Sequence, residues 1–182
     1  AVKEATSGLV TKNKALLKEL KTAKELSSTF DGLDVTKLQE AAKELEKRGI
    51  KDVEFAIQGG GELGDYIKQK VNELGLTNVV IIDKIMSRDE VVEFLNEADA
   101  LLLPLKDFGR PYLGISSKLY EYQAAGKPII CCAEGQPANY VKKTNSGIVV
   151  KPGDYKSLAK AILYLKNNPK ICKKLGENGR KY

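Results

Sequence analysis

Two groups of residues in this 182-residue chain have the types and spacing to do chemistry. The first is Gly114-Ile115-Ser116-Ser117-Lys118-Leu119-Tyr120-Glu121-Tyr122. The pattern predicts a helix over Ser117–Ala125, stopped by Gly126 and followed by Pro128. The first turn of a helix leaves backbone N–H groups unsatisfied and carries partial positive charge. Lys118 in that turn has the wrong sign for a bare helix end. Neither Ser116 nor Ser117 has Glu or Gln three residues on, so no capping box closes the end. A bound anion would answer both features. It would accept the free N–H groups and pair with the lysine, each charge-assisted bond contributing about 1.5–3 kcal/mol. Glu121 lies three residues after Lys118 and shares its helix face. A carboxylate there can accept two hydrogen bonds from a ribose diol. The set fits a nucleoside diphosphate. It fits equally an exposed Lys–Glu pair on a surface helix, and spacing alone leaves both open.

The second group is Gly59-Gly60-Gly61-Glu62-Leu63-Gly64, a G-x-G-x-x-G run between a β-like segment and a helical one. Asp83 follows at the end of the next strand, where a dinucleotide-binding unit places its ribose acid. Such a unit normally opens its domain, yet roughly a third of this chain precedes it. Glu62 and Asp65 also put acid into the first helical turn, which suits the dipole but occupies the place of a pyrophosphate. A plain tight turn, a loop beside a nucleotide sugar and an NAD site all remain open. The segment Lys106–Leu113 leads into the Lys118 helix and carries Arg110. It reads as a functional loop with a second phosphate contact or as an ordinary surface connection.

Much chemistry is excluded. The chain has no histidine, so Ser-His-Asp and Cys-His catalysis and histidine metal sites are absent. No carboxylate cluster flanks the proposed phosphate position, so no metal is expected. Three cysteines are too few for a disulfide framework. Cys131 and Cys132 sit inside the apolar run Pro128–Ala133 and read as small buried hydrophobes.

The elements that must position these residues alternate. Strands are predicted over Val53–Gln58, Asn78–Ile82, Ala100–Leu105, Ile129–Ala133 and Gly147–Val150. Helices are predicted over Glu62–Leu74, Asp89–Glu97, Ser117–Ala125, Pro137–Lys143, Asp154–Lys166 and Pro169–Arg180, with Asp154 and Pro169 as start signals. Earlier, Thr11–Leu26 and Val35–Arg48 read as amphipathic helices. Strands that are apolar throughout, alternating with helices, predict one α/β domain with a parallel sheet covered on both faces. Ligands of such sheets sit beyond the carboxyl ends of the strands, where Gly59–Gly61, Asp83–Ser87 and Pro104–Ser116 begin.

With 42% hydrophobic residues, a chain of this length can bury roughly 70% of its unfolded surface, so disorder is excluded as the main state. The longest apolar runs fall far short of the ~20 residues of a membrane span. The start, AVKEATSGLV, lacks a signal-peptide core. A soluble chain is expected. The net charge of +6 suits a solvated surface, nucleotide phosphates or an anionic membrane face. No basic stripe carries interleaved aromatics, so nucleic acid is not expected.

From Phe30 to the C-terminus the sequence resembles the nucleotide-sugar-binding domain of retaining glycosyltransferases of the GT-B fold, group 1 type, in the branch that builds surface polysaccharides. The likeness is carried by Phe55–Gly61, Asn78–Ile81, Glu97–Leu105, Ser117–Tyr122, Ala124–Ile130 and Gly147–Asp154, in that order. The ending Gly176-Glu177-Asn178-Gly179-Arg180 fits as well. The resemblance implies a single Rossmann-like domain over residues 1–182, one half of a GT-B fold. Residues 1–29 are expected to add a helical N-terminal segment, and the acceptor domain is expected to lie outside this sequence. It implies transfer of a hexose from a nucleoside-diphosphate sugar such as a UDP-sugar, with no cofactor beyond that donor. Glu121 matches the second acid of the family's Glu-x7-Glu motif and would hold the donor ribose. Lys118 would stabilise the leaving diphosphate, and these two are the catalytic candidates. Backbone near Ile85 would hold the base. Gly59, Gly60, Gly61, Gly114, Ile115, Ser116 and Ser117 complete the donor site. The first acid of the motif falls on Leu113, Ser116 replaces the branch's usual proline, and Lys37 is a candidate donor contact. The implied partner is an N-terminal acceptor-binding domain, and the implied setting is cytoplasmic with peripheral contact at the inner membrane face. A dinucleotide-dependent oxidoreductase domain, a non-catalytic nucleotide-binding module and an epimerase half are the alternatives.

Overall fold

The computed structural model describes residues 52–59, 64–106 and 109–182. All belong to one compact unit, residues 33–182. The helices read over Thr11–Leu26 and Val35–Arg48, and Lys37, Gly60, Gly61 and Glu62, lie outside the described residues.

Strands and helices alternate: β1 (Phe55–Gln58), α1 (Gly64–Glu73), β2 (Val79–Ile82), α2 (Arg88–Glu97), β3 (Leu101–Pro104), α3 (Ser117–Ala125), β4 (Ile129–Cys132), α4 (Gln136–Thr144), β5 (Gly147–Val150), α5 (Tyr155–Lys166) and α6 (Pro169–Gly179). Every strand pairing is parallel, because each helix returns the chain to the same end of the sheet. The described strands form two sheets, β1-β2 and β3-β4-β5. Leu101 registers with Ile129, and Ile129 with Gly147.

The three-stranded sheet is buried on both faces, and β4 shows why its run had to be apolar throughout. Ile130 and Cys132 point to one side, where Leu158, Ala161 and Leu165 of α5 and Leu175 of α6 cover them. Ile129 and Cys131 point to the other, against Leu119 of α3 and Val141 of α4. The β1-β2 pair differs from the sequence expectation. Phe55, Val79 and Ile81 pack against Ile67 and Val71 of α1, while Val80 on the opposite face remains 42% exposed. This pair is half-buried, with Ala56 and Val80 exposed, in place of burial on both sides.

Helix ends follow local chemistry. Ser87 and Glu90 form a reciprocal capping box at the start of α2. The Asp154 carboxylate accepts from the Ser157 N–H at 3.0 Å at the start of α5. Gly126 ends α3 at φ 67°, a conformation that costs a residue with a Cβ.

Candidate functional site

The loop from Pro104 to Ser117 delivers the chain from the carboxyl end of β3 to the start of α3. It is strapped to the turn after β4. The Tyr112 N–H donates to the Glu134 carbonyl at 3.2 Å, and the Gln136 N–H donates to the Tyr112 carbonyl at 2.8 Å. Tyr112 Oη donates to the Lys106 carbonyl at 2.8 Å. Gly135 between these bonds has φ 82°, and a Cβ there would fall 2.3 Å from the Tyr112 carbonyl oxygen. Only glycine lets the two backbones approach this closely.

The helix that follows is anchored from below and left open at its start. Leu119 is fully buried in the core under β3 and β4. Gln123, one turn on, is 3% exposed. Its Nε2 donates to Thr144 Oγ1 at 3.2 Å and reaches Ser146 Oγ at 3.5 Å. Its Oε1 accepts from Tyr140 Oη at 3.1 Å. The Tyr120 ring meets Tyr140 edge to face at 5.7 Å. At the far end, Arg180 Nε donates to the Ala124 carbonyl at 3.2 Å, a cation at the negative end of the helix. The rotation of α3 about its axis is therefore fixed by contacts on its inner side.

The start of α3 has Ser116 at the cap position and no side-chain cap bond. Lys118 and Glu121 are exposed. Among the described residues neither forms an ion pair, and they do not close on each other. An uncapped helix start, an ammonium and a carboxylate share one accessible stretch, an arrangement that suits a bound anion and an exposed surface pair alike. Gly114 and Ser117 are exposed, Ser116 is half-buried, and Ile115 packs into the core below. Leu113 projects at 91% exposure.

Of the remaining site candidates, Gly59 and Ile85 follow the carboxyl ends of β1 and β2. The Gly59 N–H donates to the Ile82 carbonyl at 3.2 Å, one step beyond the ladder. Gln58 Nε2 donates to the Lys84 carbonyl at 2.8 Å and ties the two loops together. Ile85 follows in the second loop, 84% exposed. Asp83, the acid that a dinucleotide site would assign to ribose, is engaged by Lys68. A Cβ at Gly64 would meet its carboxylate at 3.2 Å. That bond, first among its causes, raises the Lys68 ammonium above its ordinary value. The acid at the end of β2 is thus turned onto α1.

Other candidate nucleophiles are quiet. Burial pushes the Cys131 and Cys132 thiols up to about 12, with the neighbouring thiol adding to the shift at Cys132. Burial, then the Glu121 charge, pushes the Tyr122 phenol up to about 12. Sequence reasoning missed Gln123 and the Tyr112–Gly135 strap. Gln123 had a visible signal, a polar residue one turn after Leu119 on the inward face. The strap joins residues far apart in sequence and had none.

Parallel strands, helices on both faces of the main sheet and a loop-fed helix start at a strand's carboxyl end define a Rossmann-like α/β domain. The chain belongs to the glycosyl transferases group 1 family, whose family model matches residues 33–182. It is 28% identical over 135 residues to the uncharacterized glycosyltransferase MJ1178 of Methanocaldococcus jannaschii, covering 73% of this chain and 37% of that protein. The fold matches WaaG, a glycosyltransferase involved in lipopolysaccharide biosynthesis. The TM-score is 0.66 and the identity 22%, over 85% of this chain and 40% of that one. It also matches a variant of S. aureus TarM solved with fondaparinux, alpha-GlcNAc-glycerol and UDP. The TM-score is 0.70 and the identity 20%, over 84% of this chain and 30% of that one. These neighbours are GT-B glycosyltransferases, so the Rossmann-like, half-GT-B expectation holds. The chain spans about a third of the length of the curated relatives it matches.

Proposed function

We propose that the chain is the donor-binding half of a retaining hexosyltransferase, using a nucleoside-diphosphate sugar in the synthesis of a surface glycan or its lipid-linked precursor. The observation that carries this is the uncapped start of α3, with Lys118 and Glu121 exposed beside it and in no ion pair among the described residues. In this reading the α3 N–H groups and Lys118 take the diphosphate, and Glu121 accepts hydrogen bonds from the ribose hydroxyls. Gly59–Gly61 and Gly114–Ser117 bring backbone close to the donor, and backbone near Ile85 meets the base. The glycosidic C–O bond to the diphosphate breaks as the acceptor oxygen bonds the anomeric carbon from the same face. The diphosphate leaves with the bonding electrons, and the acceptor proton passes to its oxygen. Charge on the leaving group grows in the transition state, so Lys118 and the helix start act by fixed electrostatic stabilisation and positioning. No metal is required by this arrangement.

The reading assigns the acceptor to a separate N-terminal domain and residues 1–182 to one donor domain. It predicts that this chain alone does not turn over. It places the enzyme in the cytoplasm, with peripheral contact at the inner membrane face and no nucleic-acid partner. Among the described residues no helix is long and apolar enough to cross a membrane.

The experiment is titration of the protein with UDP-sugars and GDP-sugars by calorimetry. Saturable binding that weakens on Lys118→Ala and on Glu121→Ala supports the assignment. Saturable binding that neither change alters defeats it.

A further inference from the structure

The positive charge of this chain is concentrated at one end. Residues 151–182 hold nine Lys and Arg against two acids, Asp154 and Glu177, a net +7, while the other 150 residues together stand at −1. Lys166 pairs with Asp52 and Lys173 with Glu177. Lys156, Lys160, Lys170 and Lys174 are exposed and form no ion pair among the described residues. Two of these pairs, Lys156–Lys160 and Lys170–Lys174, stand at i,i+4. Like charges at that spacing repel and destabilise a helix. An anionic partner outside the protein would relieve that repulsion.

The lysines share one side of the fold. Leu158, Ala161 and Leu165 of α5 and Leu175 of α6 all bury toward the same face of the main sheet. The exposed stripes of both helices therefore face away from that sheet. A second feature borders them. An open groove of about 430 Å³ runs between the edge strand β5 and α5. Ile148, Val149, Val150 and Ala161 give it apolar walls, and Lys160 and Tyr164 stand at it. Tyr164 is half exposed, one turn after Lys160 on the Lys156–Lys160 stripe. An aromatic ring with a polar tip, a lysine stem and an apolar recess form a surface suited to the boundary between headgroups and acyl chains. A phosphodiester backbone would use the lysines but not the recess.

We propose that the α5–α6 face docks on an anionic lipid bilayer, with the four lysines over the headgroups and Tyr164 at the acyl boundary. This rests on the membrane part of the proposed function and gives that contact a face. Its test is read separately from donor binding.

The probe is vesicles of phosphatidylcholine alone or mixed with phosphatidylglycerol, in co-sedimentation. The expected result is binding to the mixed vesicles only. That binding is lost as salt rises from ~0.1 M to ~1 M and the screening length falls from about 10 to about 3 Å. Lys170→Glu/Lys174→Glu lowers binding by about tenfold or more. Lys142→Glu/Lys143→Glu, with the same charge change on exposed positions of α4, leaves most of it. The chain has no tryptophan, so Tyr164→Trp supplies a unique reporter, whose emission shifts to the blue on mixed vesicles. UDP affinity of the α6 double variant stays at the wild-type value, so a failed donor site and a failed membrane face are told apart. No binding to mixed vesicles overturns the proposal, as does equal loss from both double variants. Binding to RNA that exceeds vesicle binding and falls with the same lysines also overturns it, in favour of nucleic acid.

Discussion

Gly135→Ala tests how the fold holds the proposed donor site. The residue has φ 82° and ψ −142°, a region essentially closed to residues with a Cβ, and such strain costs on the order of 1–3 kcal/mol. The added methyl would also stand 2.3 Å from the Tyr112 carbonyl oxygen, a contact that only backbone movement relieves. If the loop lifts, the bonds from Tyr112 to Glu134 and from Gln136 to Tyr112 are lost, at about 1 kcal/mol each. The total is about 3–5 kcal/mol. For a chain of this size that lowers the thermal midpoint by about 6–20 °C. The same movement frees the loop ahead of Ser116. UDP affinity, measured by calorimetry well below the new midpoint, is expected to fall about tenfold, the equivalent of one charge-assisted bond. An unchanged midpoint would refute the strain argument. A lowered midpoint with unchanged UDP affinity would show that the strap does not position the site.

Three further outcomes follow from the packing and the charges. Gln123→Leu leaves Tyr140 Oη and the Thr144–Ser146 pair short of a buried partner. It should cost about 2–4 kcal/mol, read as a lower urea midpoint at constant slope. Glu90 is held down to about 2, first by the Lys84 ammonium and then by the Ser87 backbone N–H. Its stabilising contribution is complete above the ordinary 4.5 and fades as pH falls toward 2. Glu90→Gln should therefore separate from wild type in stability at neutral pH and converge with it near the acid end of the curve. Cys131 and Cys132 are buried and Cys172 is half-buried, so an aromatic disulfide reagent should find at most one reactive thiol in the folded protein and three in urea.

Much of the architecture was legible because it is written in local pattern. The run Ile129–Ala133 could only be a doubly buried strand, and Gly147–Val150 and Ser117–Ala125 have the predicted bounds. The start of α2 was read one residue late. Its signal was present in Ser87-Arg88-Asp89-Glu90, a capping-box spacing. The open start of α3 was legible for the opposite reason, since what the sequence lacks there is a local cap. Illegible features depend on residues distant in the chain. The turn of Asp83 toward Lys68, fifteen residues away, is fixed by how α1 lies on its sheet. The Tyr112–Gly135 strap is set by the spacing of two carboxyl-end loops. The half-exposed β1-β2 pair depends on which neighbours cover Val80, which its own side chain does not reveal.

The most direct measurement compares UDP with uridine as ligands of wild type, Lys118→Ala and Glu121→Ala. If the α3 start grips phosphate at one end and ribose at the other, Lys118→Ala weakens UDP and leaves uridine unchanged, while Glu121→Ala weakens both. Equal affinity of the wild type for UDP and uridine, or loss of both ligands with Lys118→Ala, would contradict the account.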